Sequence, residues 1–142
     1  MRLVDNVIYQ PSSFRLSPRQ STKAVKQLKT KTKVVDKFLL HPHKYTADFK
    51  FTKTELFDHM DHDMIESDGY VYVDVKGSFA GGIKNTTSIT FPINRKWVYE
   101  KYGIYINKVI PGKLFKKTFV PRELAYGKSG KLSKKWVGCK IV

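Results

Sequence analysis

The segment Tyr70–Gly77, with the sequence YVYVDVKG, constrains the fold of this chain more than any other. Valine and tyrosine at this density predict a β-strand. Because side chains along a strand alternate between its two faces, one face is apolar and can enter a core. The apolar face carries Val71, Val73 and Val75. The opposite face places a carboxylate beside an ammonium group, Asp74 and Lys76, just before Gly77.

A second acid-bearing strand is predicted over Tyr45–Phe51, with the sequence YTADFKF. The alternation puts one set of residues on a common face: Tyr45, Ala47, Phe49 and Phe51. Asp48 falls on the other face, and we expect the strand to pair with Tyr70–Gly77 through the intervening turn. Antiparallel neighbours can place Asp48 and Asp74 on one face, within reach of one divalent cation.

Two carboxylates are enough protein ligands for Mg²⁺ when water and a phosphate supply the remaining oxygens. Lys76 beside them can polarise that phosphate or help to generate the attacking hydroxide. The simpler interpretation of Asp74 and Lys76 is a surface ion pair, which contributes little to stability.

The charge of the chain indicates an anionic partner. Its 142 residues include 27 Lys and Arg against 12 Asp and Glu, a formal net charge of +15. This excess favours DNA or RNA first and an anionic membrane second. No apolar run approaches the roughly 20 residues that span a bilayer, and no signal peptide is recognisable, so a membrane role is not expected. The single cysteine, Cys139, excludes an internal disulfide and favours a cytoplasmic location.

A basic block over residues 17–33 is predicted to be an insertion that forms an exposed strand or arm, followed by a strand over Val34–Leu40. Alternating Lys and Thr residues suit contacts to phosphates, although a solvated basic loop is the alternative. The lysines predicted to bind nucleic acid are Lys23, Lys26, Lys29, Lys31 and Lys33.

The second half of the chain contains an acidic segment over residues 56–69, which we predict to be a solvated hairpin insertion. A Gly-rich loop with Lys84 follows the Tyr70–Gly77 strand. A helix is predicted over Thr90–Tyr102, with Pro92 in its first turn and Gly103 at its end. Its basic edge includes Arg95 and Lys96.

Beyond this helix, strands are predicted over Ile104–Ile110 and Leu114–Val120, separated by a turn at Pro111-Gly112. A basic tail covers residues 123–142 and can pack by Trp136 and Val137 or bind phosphate.

The order of an acid-bearing strand, a D-x-K strand, a basic helix and a further strand resembles the PD-(D/E)XK nuclease superfamily. The nearest similarity is to small phage-encoded Holliday-junction resolvases and endonuclease I-like enzymes. The segments that carry the resemblance are distributed over roughly two-thirds of the chain: Val7–Leu16, Tyr45–Phe51, Val73–Gly77 and Lys96–Ile106.

By this resemblance, Asp48 is the first metal-binding acid, Asp74 the second and Lys76 the catalytic lysine. The main-chain carbonyl of Val75 is a further ligand of Mg²⁺ or Mn²⁺. The implied fold is α/β (α+β), one domain over residues 1–142 with a central mixed β-sheet, few flanking helices and a restriction-endonuclease-like core. Ala47 stands where the family motif has proline. The family also has a first helix that carries a Glu, whereas no Glu precedes Glu55 here.

Two functions are therefore predicted. The first is a Mg²⁺- or Mn²⁺-dependent DNA endonuclease, acting on branched or replicating phage DNA in the host cytoplasm. Its phosphate contacts include Lys84, Arg95 and Lys96, and analogy with resolvases implies a homodimer. The alternative is a nucleic-acid-binding protein on the same fold that has no catalysis of its own or depends on a partner, because the missing Glu helix weakens the catalytic assignment.

Overall fold

The computed structural model of the chain describes residues 3–61, 63–77 and 86–142. The strands are β1 (Val4–Tyr9), β2 (Phe14–Ser17), β3 (Gln20–Gln27), β4 (Thr32–Leu40), β5 (His43–Tyr45), β6 (Phe49–Lys53), β7 (Val71–Val75) and β8 (Ile106–Val109). The helices are α1 (Glu55–Met60), α2 (Thr86–Tyr102), α3 (Pro111–Lys117), α4 (Arg122–Tyr126) and a 3-10 helix (Lys134–Trp136). Within the described ranges, no helix has the length and apolarity needed to cross a membrane.

A four-stranded mixed sheet forms the centre of the fold, in the order β1-β6-β7-β8. The first three strands are antiparallel neighbours, and β8 runs parallel to β7. Helix α2 lies in the connection between these parallel strands, as a parallel pair requires a crossover. The predicted α+β class with a central mixed sheet and few helices is therefore confirmed.

Both faces of β7 are buried, which fits its dense valine and tyrosine sequence. On one face lies an apolar cluster of Phe51, Val71, Val73 and Val109. On the other face lies a larger cluster of Leu16, Tyr45, Ala47, Tyr72, Phe91, Val98, Ile104 and Ile106. The valine face is thus in a core as predicted, except that Val75 at the end of β7 is 38% exposed. The face with Tyr72 and Asp74 is covered as well.

Two small sheets lie outside the central one. Strands β2 and β5 pair antiparallel, and this pair contacts α2 through Phe14 and Tyr102, whose ring centroids are 5.2 Å apart. The Tyr102 hydroxyl also donates a hydrogen bond to the Arg15 carbonyl, at 2.7 Å. Strands β3 and β4 form an antiparallel hairpin that extends from this small sheet. The predicted basic arm is therefore a hairpin, and it reaches beyond residue 33 to Leu40.

The predicted single strand over Tyr45–Phe51 is wrong. The chain forms β5, leaves the strand at Thr46–Asp48 and resumes in β6. Tyr45 and Ala47 consequently enter the cluster under α2, whereas Phe51 enters the cluster on the opposite face. The alternating pattern of seven residues did not reveal this break, because each half keeps the composition of a strand.

Helix α2 begins at Thr86, four residues before the predicted start, so Pro92 lies inside it and not in its first turn. The predicted end is confirmed. Gly103 has a φ of +68°, and its N–H donates to the Tyr99 carbonyl at 2.9 Å. A left-handed residue after the last turn ends a helix in this way, and glycine adopts it without strain.

The predicted strand over Leu114–Val120 is also wrong, since most of this segment belongs to α3. Pro111, predicted as a turn residue, occupies the first turn of the helix, where its missing N–H costs no hydrogen bond. Lys116 and Lys117 lie in the last turn, where positive charge complements the helix dipole. Val120 beyond the helix forms an isolated bridge with Ile141.

The acidic segment 56–69 is not a solvated hairpin. It contains most of α1, and Asp61 after the helix is buried at 5% exposure. The Lys117 ammonium pairs with Asp61 at 3.0 Å and with Asp63, and these two hydrogen bonds, the Asp63 bond first, raise the pKa of Lys117. The neighbouring His62 lies outside the described residues.

The basic C-terminal segment 123–142 is folded onto the preceding chain. Trp136 packs with Val120 and Ala125 in a third apolar cluster, in which Trp136 is 4% exposed. Val137, the other residue predicted to pack, is 67% exposed. Of these two residues, only Trp136 packs the tail onto the preceding chain.

Candidate functional site

Asp74 is the buried charge at the end of β7, with 3% of its surface exposed. Its Oδ2 accepts a hydrogen bond from the Tyr45 hydroxyl, and its Oδ1 lies against the Lys76 ammonium as an ion pair. Because burying a carboxylate is costly, these two partners are what keep Asp74 in place.

Asp48 is held beside Asp74 by its main chain. Its N–H donates to the Val73 carbonyl at 3.0 Å, and its carbonyl accepts from the Gln10 N–H at 2.8 Å. Its Oδ2 accepts a hydrogen bond from the Val75 N–H at 2.7 Å. The carboxylate of Asp48 therefore lies next to the residue that follows Asp74.

The electrostatics of Tyr45 lead to the same conclusion. The charges of Asp74 and Asp48 both raise the pKa of the Tyr45 hydroxyl, so both carboxylates lie near it. The two predicted acids are thus neighbours, Asp48 in the bend before β6 and Asp74 near the end of β7.

Lys76 completes the group from the same strand end. Its N–H donates to the Val109 carbonyl at 2.8 Å, which fixes the main chain after β7 has ended. Its ammonium lies 4.8 Å from the centroid of the Phe91 ring, on α2. The side chain is 16% exposed and so is held between a carboxylate and an aromatic face.

Tyr45 is the site residue that the sequence did not reveal. Burial, followed by the hydrogen bond to Asp74, raises the pKa of Tyr45 far above its usual value, and the charges of Asp74 and Asp48 add to the rise. The phenol is therefore kept as a protonated donor. The alternating pattern of its segment predicted only that Tyr45 faces the core. Its contact with Asp74 joins residues 29 positions apart, and no nearby sequence feature indicates it.

Arg95, predicted to contact phosphate, is half-buried beside this group. Its guanidinium lies 4.8 Å from the Tyr105 ring centroid and 6.0 Å from that of Phe91, and it donates to the Tyr105 hydroxyl at 2.9 Å. Lys96 is exposed and lies 3.9 Å from Glu100, one turn along α2. Lys84 lies outside the described residues.

The five predicted arm lysines all lie on the β3–β4 hairpin. Lys23 pairs with Asp36 at 2.5 Å. Lys26 and Lys33 face each other across the two strands, while Lys29 and Lys31 occupy the turn between them.

The donor set suits a hard divalent cation. Asp74 supplies a buried carboxylate whose Oδ1 faces the Lys76 ammonium and whose Oδ2 accepts from Tyr45, and Asp48 supplies a second carboxylate beside it. Across the described part of the chain, no three side chains of His, Cys, Asp or Glu gather into a metal site. Water, the main chain and a phosphate would therefore complete the coordination, as is common for Mg²⁺.

Comparisons of the chain with protein-family models, with curated proteins and with solved structures each gave no match.

Proposed function

We propose that this chain is a Mg²⁺- or Mn²⁺-dependent nuclease that hydrolyses phosphodiester bonds of DNA. The observation that carries the proposal is the position of the Asp48 carboxylate at the end of β7, beside Asp74, with Lys76 paired to Asp74 two residues further on. Two acids with an adjacent ammonium group suit a bound metal and a negatively charged phosphate. The charge of +15 suits a polyanionic substrate.

Asp48 and Asp74 would hold the metal, with the Val75 carbonyl as a further ligand, and the metal would polarise the phosphate and acidify a bound water. Asp48 is aligned for this role by the Val75 N–H, and Asp74 by the Tyr45 hydroxyl.

Lys76 would orient the attacking water and stabilise charge that develops on the phosphate. The Phe91 ring limits where its ammonium group can move. Because its pKa is raised, the Tyr45 hydroxyl stays protonated and keeps its hydrogen bond to Asp74.

Replacing one carboxylate tests the proposal directly. Asp74→Asn keeps the shape of the side chain and removes its charge, so we expect Mg²⁺-dependent cleavage to fall about a hundredfold or more. The assay compares linear duplexes, four-way junctions and single strands, with Mg²⁺, with Mn²⁺ and with a chelator. Asp58→Asn is the matched control, because Asp58 is an exposed acid paired with Lys53 at 2.5 Å. Unchanged, chelator-sensitive cutting by Asp74→Asn would rule out the assignment.

Metal binding is measured separately by titrating the protein with Mn²⁺ and following its paramagnetic signal. We expect Asp48→Asn and Asp74→Asn to lose the site and Asp58→Asn to retain it.

A four-way junction cut in preference to a linear duplex would support the resolvase-like role on branched phage DNA. A homodimer, which two symmetric cuts require, is checked by sedimentation.

A nucleic-acid-binding protein without catalysis is the second candidate. Asp74 already has an internal cation and an internal donor, Lys76 and Tyr45, as a purely structural carboxylate would. Binding to DNA without cleavage of any of the substrates above, in either metal, would favour this function over the nuclease.

A further inference from the structure

The β3–β4 hairpin presents two chemically different faces. None of the residues from Gln20 to Leu40 is buried, so both faces are open to solvent. On the first, Lys23 is neutralised by Asp36 at 2.5 Å. The neighbouring cross-strand pair on this side is Val25–Val34, with exposures of 71% and 61%. We refer to the side with these two pairs as the neutral face.

The opposite side carries three lysines and no acid. Lys26 lies directly opposite Lys33, and Lys37 follows four residues along β4 on the same side. Between them lie Ala24 and Val35, the two half-buried residues of the hairpin. We refer to the side with Lys26, Lys33 and Lys37 as the cationic face. Lys37 was not among the lysines predicted from the sequence to bind nucleic acid.

Two lysines directly opposite one another destabilise a hairpin by repulsion. Among the described residues, Lys26, Lys33 and Lys37 form no ion pair, although Lys23 on the same hairpin does. The cationic face thus concentrates positive charge that nothing in the described chain neutralises, and an anionic ligand would remove the repulsion.

We propose that the cationic face of the hairpin, together with Lys29 and Lys31 at its tip, binds the phosphate backbone of duplex DNA. The choice of DNA as the ligand rests on the proposed function. The duplex is held by one face of the two-stranded ribbon, with the neutral face turned away.

The dimensions favour a duplex. The eight residues of β3 span about 26 Å, and B-DNA carries one charge per about 1.7 Å of its axis. The ribbon therefore runs along a length of DNA that offers many more phosphates than it has lysines. A two-stranded ribbon also fits the major groove, which is about 12 Å wide.

Other anionic partners fit less well. The major groove of double-stranded RNA is too narrow and deep for a ribbon to enter. An anionic membrane would take up the exposed Val25 and Val34, but it would then also bury Lys23 and Asp36 and direct the cationic face away from the lipid.

The test measures binding in the full chain with Asp74→Asn and a chelator present, so cleavage plays no part. A short fluorescent duplex is titrated over a range of salt concentrations. Lys26→Gln, Lys33→Gln and Lys37→Gln each remove one charge from the cationic face. Lys23→Gln, three residues from Lys26 on the same strand, is the matched control. The sequence predicted that Lys23 binds nucleic acid, but its pairing with Asp36 on the neutral face places it outside the binding surface proposed here. Lys26→Arg keeps the charge.

We expect each cationic-face variant to weaken binding roughly two- to fivefold and to lower the salt slope by about 1. Lys23→Gln and Lys26→Arg should bind like the parent. Equal losses in Lys23→Gln and Lys26→Gln would overturn the proposal, because overall charge would then explain both.

The proposal would also be overturned if the cationic-face variants lost binding to anionic vesicles or double-stranded RNA but kept binding to duplex DNA. A parent chain that lacks nuclease activity would remove the proposed function and leave this binding result standing, since the assay contains no free divalent metal.

Discussion

The end of β7 and the β3–β4 hairpin both carry lysine and aspartate, yet they hold them in opposite ways. At the end of β7, Asp74 and Lys76 are enclosed, and a hydroxyl and a ring fix their positions. On the hairpin, Lys23 and Asp36 are mostly exposed, with side-chain exposures of 74% and 66%.

The two regions therefore use their charges for different purposes. A buried pair is costly to desolvate, but it keeps one geometry, which chemistry on a phosphate requires. Exposed lysines are individually weak and screened by salt, but together they attract a polyanion over a distance. The molecule therefore combines a region suited to reaction with a region suited to capture.

The largest expected difference between the regions is in stability. Lys76→Met leaves Asp74 buried without its cation, so we expect a loss of about 3 kcal/mol in the free energy of unfolding. Lys33→Met on the hairpin should change it by less than about 0.5 kcal/mol. Urea unfolding measures both. Similar values for the two variants would show that the regions do not differ as described.

A smaller effect is expected from Tyr45→Phe, which removes the donor to Asp74 and should cost about 2 kcal/mol near neutral pH. Because the pKa of Tyr45 is raised above its ordinary value of 10.0 in the folded state, its contribution is complete below pH 10. Above pH 10 the unfolded tyrosine ionises first, so the parent loses stability by about 1.4 kcal/mol per pH unit and approaches the variant.

Unfolding is followed from pH 7 to pH 11, with Tyr9→Phe as the control, since Tyr9 is 65% exposed. A stability difference between parent and Tyr45→Phe that stays constant across this range would contradict the protonated, buried phenol.

The smallest expected effect on stability is a gain, whereas the other variants lose stability. Lys26→Glu replaces a repulsive pair with Lys33 by an attractive one, so we expect a gain of about 0.5 kcal/mol in stability. The same change should weaken duplex binding more than Lys26→Gln does. Calorimetry and the salt titration measure the two effects. A loss of stability together with a loss of binding would indicate general damage to the hairpin.

The sequence predicted elements whose signals are local. The alternating valines of β7 placed Asp74 and Lys76 on one face, and Gly103 marked the end of α2 because the last turn needed a left-handed residue. The basic arm was predicted from its alternating lysines and threonines, although its division into a neutral and a cationic face depends on the register of β4 against β3.

The parts that were not predicted depend on contacts between distant residues. The break at Thr46–Asp48 arises where the chain passes from a strand that packs on α2 to one in the central sheet. Tyr45 reaches Asp74 only because of that break. Similarly, the segment after Pro111 has strand-like composition, but its proline starts a helix whose Leu114 packs against the central sheet.

The hydrogen bond from the Gln10 N–H to the Asp48 carbonyl has a practical consequence for work with this protein. The first strand of the chain anchors one of the two proposed metal-binding acids from the outer edge of the central sheet. A variant that loses β1 would leave the Asp48 carbonyl without the Gln10 N–H, so the edge strand contributes to the position of that acid although none of its side chains is among the proposed ligands.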